Sequence, residues 1–297
     1  MKMRIRWLRR SPKAPSLGIL ALPPASDPIP SVSESARDSA LFTDLNGHVL
    51  WGMNGGPSSL AESVSLVSLA QRYGTGDLVV VSRVDQGDGT TQQLAMDRLA
   101  ELRENVGGLP RLHHACTLDL VPEQIHAALA DPQKFTVNGL NHLMIDFPSQ
   151  RSPISTATTF AEFLKQSITP VIVHPERNIV LQKSSRRLQE WVFAGCVVQV
   201  SAQSLNGNFG SETQETAWRM LREGVVHVVA SEGGPHVAHA PRLDLTSLEI
   251  KRILGDETAR RVLVENPARI LRGEALVRRE PEARGGEPNY RSRAIAF

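Results

Sequence analysis

Val171-Ile172-Val173-His174-Pro175-Glu176-Arg177-Asn178 and, after an amphipathic stretch, Gly195-Cys196-Val197-Val198-Gln199-Val200-Ser201 together frame one structural unit. The first β-branched run reads as a buried strand, and polar residues take over as soon as it ends. Leu188, Trp191 and Val192 then form the apolar face of a helix, which Gly195 stops. The second β-branched run starts immediately afterwards. Two strands joined through a helix in this way are parallel neighbours, because a parallel pair needs a crossover connection.

The same alternation extends in both directions. Strand-like runs at 41–45, 78–82, 112–118 and 143–147 precede this unit, and another at 225–230 follows it. Between them lie helical patterns. Leu60, Val64, Val67 and Ala70 share a face within 57–73, and Leu94, Arg98, Leu102 and Val106 share another, with the stem of Arg98 lying along it. Pro122 opens a helix where its missing N–H costs nothing, and Ala217, Met220 and Leu221 form a face before Gly224. Seven strand-then-helix units predict an α/β fold, a closed or nearly closed (β/α)7 barrel of the TIM-like kind, with an open doubly wound sheet as the alternative. The folded body is expected over 41–273. Residues 1–40 and 274–297, rich in Pro, Ser or Arg and without periodicity, are expected to be disordered basic extensions.

Composition narrows the function classes. The 297 residues carry 33 basic and 31 acidic side chains, a net charge of +2, and no basic run in the central region, so a nucleic-acid partner is not expected. The two cysteines, Cys116 and Cys196, sit in apolar surroundings and read as reduced core residues. No stretch approaches the roughly 20 apolar residues of a membrane span. The basic start resembles the opening of a secretion signal, but its apolar run ends at once in Pro23-Pro24, so a cytoplasmic protein is expected.

Polar residues recur directly after the strand runs: Asp44 and His48, Ser82 and Asp85, Asp146, His174 to Arg177, Ser201 and Gln203, then Ser231 and Glu232. In a barrel these positions open onto one C-terminal rim, where barrel chemistry sits. Three blocks within this pattern carry a family resemblance. One is His174-Pro175-Glu176-Arg177-Asn178 at a strand end. The second runs from Gly195 to Gly210 and is similar to G-x-x-x-Q-x-[TS]-x-x-S-L-x-G-x-F-G. The third is Asn266-Pro267 with Ile270-Leu271-Arg272-Gly273. Together they resemble the PHP-domain tyrosine phosphatases of bacterial capsule and exopolysaccharide biosynthesis, the CpsB/CapC/YwqE type. The resemblance implies a distorted PHP barrel that hydrolyses phosphotyrosine with clustered divalent ions, usually manganese. It implies as partner a phosphotyrosine protein such as a tyrosine-kinase tail, or another exopolysaccharide-assembly component. Members of the family can form rings, and the sequence leaves homo-oligomerisation open.

The ligand positions of that family are eroded here. Its D-x-H-x-H becomes Asp44-Leu45-Asn46-Gly47-His48, and its acidic loop pair becomes Asn54 and Gly55. Its T-P-H-H becomes Ser82-Arg83-Val84-Asp85, with Val84 expected to set an apolar wall where an imidazole belongs. A bridging Glu is matched near Thr117, a Glu before Pro by Asp146, and S-D-A-H by Ser231-Glu232-Gly233-Gly234. His48, Asp146, His174 and Glu232 remain as a reduced set from which some could hold at most one weakly bound manganese or other divalent ion, with no bound metal as the alternative. By the resemblance, His174 and Arg177 are the catalytic candidates. Arg177 is also the contact for a substrate phosphate, against a structural ion pair with Glu176 or another rim carboxylate as the plainer reading. Ser204 joins it as a substrate-binding candidate, although its Ser204-Leu205 turn also reads as packing.

His113 and His114 point to opposite strand faces, and His236 and His239 read as loop residues. Asp85 and Asp119 are weaker candidates for a general base in a different hydrolase. The expectation is a pseudophosphatase that acts by binding. The alternative is an active metal-dependent phosphotyrosine phosphatase with a reduced or rearranged site.

Overall fold

The computed structural model describes residues 41–53, 55–84, 90–146, 156–183, 185–235 and 240–276. Seven strands lie side by side in chain order: β1 (Phe42–Gly47), β2 (Thr75–Arg83), β3 (Arg111–Asp119), β4 (His142–Asp146), β5 (Thr169–Val173), β6 (Val197–Ser201) and β7 (Val228–Ala230). Every neighbouring pair is parallel. An isolated parallel bridge between Gly47 and Gly233 brings the two end strands together, so the sheet is a nearly closed barrel rather than an open doubly wound sheet. β2 is longer than the apolar run alone implied, and β7 is shorter. Val225 and Val226 instead pack in the outer layer, and the ring Nδ1 of His227 accepts a hydrogen bond from the Val198 N–H at 3.2 Å.

Helices cover the outside. α1 (Leu60–Arg72) is capped by Ser59, whose hydroxyl accepts from the Glu62 N–H at 3.3 Å. α2 (Thr90–Asn105) is rotated from the expected face: Ala95, Leu99 and Leu102 are buried, whereas Leu94 is 42% exposed. Arg98 is half-buried. Its guanidinium donates to the Trp51 carbonyl and stands 5.4 Å from the centroid of that ring. α3 (Pro122–Ala130) starts at its proline. The sequence pattern had not marked α4 (Thr156–Lys165), whose threonines dilute the helical signal. Phe160 and Phe163, one turn apart, bury it, and Phe160 meets Trp191 edge-on at 5.2 Å.

α5 (Ile179–Lys183) and α6 (Arg186–Ala194) follow β5, and Gly195 ends α6 at φ 119°. α7 (Ala202–Leu205), α8 (Ser211–Arg222), α9 (Asp244–Leu254), α10 (Asp256–Arg260), a π turn at Arg261–Glu265 and α11 (Asn266–Leu271) complete the chain.

Alternation along the strands sorts the core into two layers. Leu118, Ile145, Ile172, Val198 and Val200 face the helices. Val79 and Val81 on β2, Ala115 on β3, Met144 on β4, Val171 and Val173 on β5 and Val197 on β6 fill the barrel interior, with Val137 and Ile270 packed against them. Continuing the same inward period of two towards the strand ends brings Arg83, Asp119, Asp146, Gln199 and Ser201 to the C-terminal mouth. Both cysteines are free and buried.

His142, at the other end of the barrel, is 3% exposed, and its Nδ1 has no hydrogen-bond partner. Burial lowers its pKa from 6.5 to about 4. The unfolded chain therefore protonates this imidazole at a pH where the folded chain refuses the proton. The stability it contributes is complete above pH 6.5 and is lost as pH falls towards 4. Replacing His142 by Gln is expected to reduce the stability lost between neutral pH and mildly acidic pH by about 2 kcal/mol. Urea denaturation of both proteins across that range measures the difference.

Candidate functional site

Each strand end delivers one part of the mouth. β1 carries Asp44 and Asn46, with His48 just beyond it. β2, β3 and β4 end in Arg83, Asp119 and Asp146. His174 follows β5 and Glu232 follows β7, each with left-handed backbone, at φ 56° and 53°. Such a φ is uncommon for residues with a Cβ and marks local strain at both positions.

One side of the mouth is built around Glu232. Arg177 grips its carboxylate with both terminal nitrogens, Nη1 donating at 2.8 Å and Nη2 to the second oxygen. The guanidinium also lies 3.7 Å from the centroid of the Phe209 ring. His174 Nε2 is 3.2 Å from Glu232 Oε1 and 3.4 Å from Asn46 Nδ2. Burial opposes ionisation of Glu232, but His174 and the hydrogen bonds and charge of Arg177 overcome it and hold the carboxyl at about 2. Burial drives His174 the other way, to about 4, with Glu232 resisting, so the imidazole is neutral at neutral pH.

The other side is built around Arg83. Its Nη2 lies 2.8 Å from Asp119 Oδ1 and its Nη1 lies 3.0 Å from Asp146 Oδ2. Asp119 and Asp146 are direct register partners on β3 and β4. His48 feels both groups. Burial lowers its pKa first, and Glu232, Arg83, Asp146 and Arg177 then act on it with alternating sign.

Two further carboxyls are fully buried beside the mouth. Asp44 Oδ1 accepts from the backbone N–H of Ser231 at 2.9 Å and of Asn46 at 3.2 Å, while its Oδ2 has no partner. Burial pushes this carboxyl up to about 6. Glu176 Oε1 accepts from Ser204 Oγ at 2.6 Å and from the Ser201 N–H at 3.1 Å, and burial raises its pKa.

The structure thus gathers His48, Asp146, His174 and Glu232 at one rim with Arg177. Arg177 pairs with Glu232 across the mouth rather than making its hydrogen bonds to the adjacent Glu176. Ser204 is completely buried, and its hydroxyl is directed at Glu176. Asp119 reaches the mouth too, beyond the inward-facing Thr117. His113 bonds Asp77 at 2.8 Å on one strand face and His114 bonds Ser82 at 3.0 Å on the other. Asn54, Asp85, Phe147, Pro148, His236 and His239 lie outside the described residues.

Val84 does not wall the mouth as expected. It packs against the outer layer, and Arg83 is the β2 residue that enters. Sequence reasoning passed over Arg83, although its place two residues beyond Val81 marked it as inward-facing.

A cluster of divalent ions does not fit this donor set. Asp119 and Asp146 are held by Arg83, and Glu232 by Arg177. Asn46 offers a neutral amide. Among the described residues no group of three or more His, Cys, Asp or Glu side chains is placed to hold a metal.

Comparison with known proteins agrees with the fold. The model of the capsular polysaccharide synthesis family CpsB/CapC matches residues 42–272. The tyrosine-protein phosphatase CpsB of Streptococcus agalactiae is 27% identical over 246 residues, covering 77% of this chain and 98% of that protein. The tyrosine-protein phosphatase YwqE of Bacillus subtilis is 23% identical over 247 residues, covering 80% and 95%. In a structural comparison the chain matches the work on YwqE from Bacillus subtilis and CpsB from Streptococcus pneumoniae, described as metal-dependent tyrosine phosphatases. The TM-score is 0.67 at 22% identity, over 81% of this chain and 98% of the other.

Ser204→Ala removes a donor from a carboxyl that has no access to water. The expected result is a loss of about 1–3 kcal/mol of stability, read by urea denaturation at neutral pH. Unchanged stability together with lost ligand binding would instead return Ser204 to the substrate contacts.

Proposed function

Because the chain belongs to the CpsB/CapC family of capsular polysaccharide synthesis, we propose that it is a pseudophosphatase of that family. It acts by binding a phosphotyrosine protein, such as a tyrosine-kinase tail, or another exopolysaccharide-assembly component. The observation that carries this reading is the pairing of mouth carboxylates with arginines: Asp119 and Asp146 with Arg83, and Glu232 with Arg177. Clustered ions would polarise the phosphoryl group and generate hydroxide near neutral pH. Here the acids that would hold such ions are already neutralised by side chains.

What the mouth keeps is recognition chemistry. Arg177 is held at both terminal nitrogens by Glu232 and rests on the Phe209 ring, with 23% of its side chain exposed. A guanidinium fixed in this way is oriented before a phosphate arrives. Arg83, with 45% of its side chain exposed, adds positive charge beside it. His174 and His48, both neutral at neutral pH, add no charge that would repel a cationic neighbour of the phosphate. No described helix is long and apolar enough to cross a membrane. We place the protein in the cytoplasm on the strength of the proposed partner, a tyrosine-kinase tail.

The test pairs turnover with binding. The protein supplied with Mn²⁺ is expected to cleave 4-nitrophenyl phosphate no faster than buffer, yet to bind a tyrosine-phosphorylated peptide saturably. The double variant Arg177→Gln/Glu232→Gln keeps a neutral hydrogen-bonding pair in the wall and is expected to weaken that binding at least tenfold, about 1.4 kcal/mol. Mn²⁺-dependent turnover matching that of YwqE assayed alongside would overturn the reading.

A further inference from the structure

We propose that Arg83 is the resident cation of the mouth: its guanidinium holds the Asp119–Asp146 pair in the place of a divalent ion and so bars such an ion from it. The inference rests on the non-hydrolytic reading above and names the residue that enforces it.

The argument begins with strand register. Asp119 and Asp146 are direct partners on adjacent parallel strands, and both continue the inward period of their strands. Neighbouring strands are about 4.8 Å apart, so two ionised carboxylates at these positions repel unless a cation stands between them. β2 supplies that cation from the next strand over. Arg83 pairs in register with Thr117, two residues before Asp119, and its stem is long enough to reach past it. One terminal nitrogen takes each acid, at 2.8 and 3.0 Å. A planar guanidinium suits this task, since it offers separate N–H groups to two carboxylates at once.

The contact is a plug rather than part of the packed wall. The Arg83 side chain is 45% exposed, against 36% for Asp119 and 26% for Asp146, so the ion pairs reach solvent. Its neighbour Val84 packs against the outer layer, and Arg83 takes no part in that packing. With Arg83 removed, the two carboxylates stand on adjacent strands without their cation, oxygen donors of the kind hard divalent cations accept.

The experiment titrates Mn²⁺ into the full-length protein and its variants, reading calorimetric heat and the shift in thermal midpoint. The unsubstituted protein is expected to show no saturable binding at submillimolar Mn²⁺ and no change in midpoint with Mn²⁺ or a chelator. Arg83→Ala is expected to bind Mn²⁺ at least tenfold more tightly and to gain stability with added ion. Adding Asp119→Asn and Asp146→Asn to Arg83→Ala is expected to abolish that gain. Arg83→Met retains the stem without the charge, and gives the same comparison if the alanine variant does not fold. Equal Mn²⁺ affinity in the unsubstituted and Arg83-substituted proteins overturns the proposal, as does a gain that survives removal of both aspartates. Phosphatase turnover in the unsubstituted protein would sink the non-hydrolytic reading, whereas Mn²⁺ affinity that ignores Arg83 would sink only this inference.

Discussion

Carboxylates gathered at the open end of a barrel need positive charge close at hand, and the way that charge is supplied governs what the mouth does. Parallel strands in sequential register place Asp119 beside Asp146 and bring Glu232 opposite β1. The fold alone would leave these acids repelling one another. Two arginines resolve the conflict from within the chain, Arg83 from β2 and Arg177 from the turn after β5. Glu232 is largely buried, so an unpaired charge there would be strongly unfavourable. The Arg83 pairs are more exposed and contribute less to stability. Their effect is on which cations the mouth accepts.

Neutralisation by side chains has different consequences from neutralisation by ions. A divalent cation brings open coordination positions and acidifies bound water. A guanidinium brings donors in a fixed plane and no such water. The framework around the mouth is nonetheless kept in detail. Glu176 is held by Ser204 and Ser201, Asp44 by two backbone amides, and Gln203 by the Ser231 carbonyl. These contacts stabilise the strand ends independently of what binds above them.

Much of the fold was legible in the sequence because both of its periods were clear. β-branched runs alternating with amphipathic stretches gave all seven strands, and Pro122, Gly195 and Gly224 marked helix ends. α4 escaped because its threonines blur the helical pattern, and the α2 face was misplaced because Leu94 is apolar yet exposed. At the site, matching to family motifs brought out the missing histidines, Arg177 and the rim acids. It passed over Arg83, since a motif comparison asks what has vanished rather than what has arrived. Strand parity from Val79 and Val81 was the signal that pointed to it. Partners across the barrel were not readable at all: that Arg177 grips Glu232, or that Ser204 serves Glu176, depends on closure between distant strands.

The seam of that closure has its own consequence. β1 and β7 meet through a single backbone bridge at Gly47 and Gly233, reinforced by the His48 N–H on the Gly233 carbonyl and by Asp44 on the Ser231 amide. Asp44 is buried with a carboxyl that ionises only near pH 6. Once it carries charge, parting the seam lets water reach it and releases the strain of holding an anion in a dry place. The barrel is therefore built like a cask with one lightly hooped joint, whose staves loosen as pH climbs from about 4 through about 6.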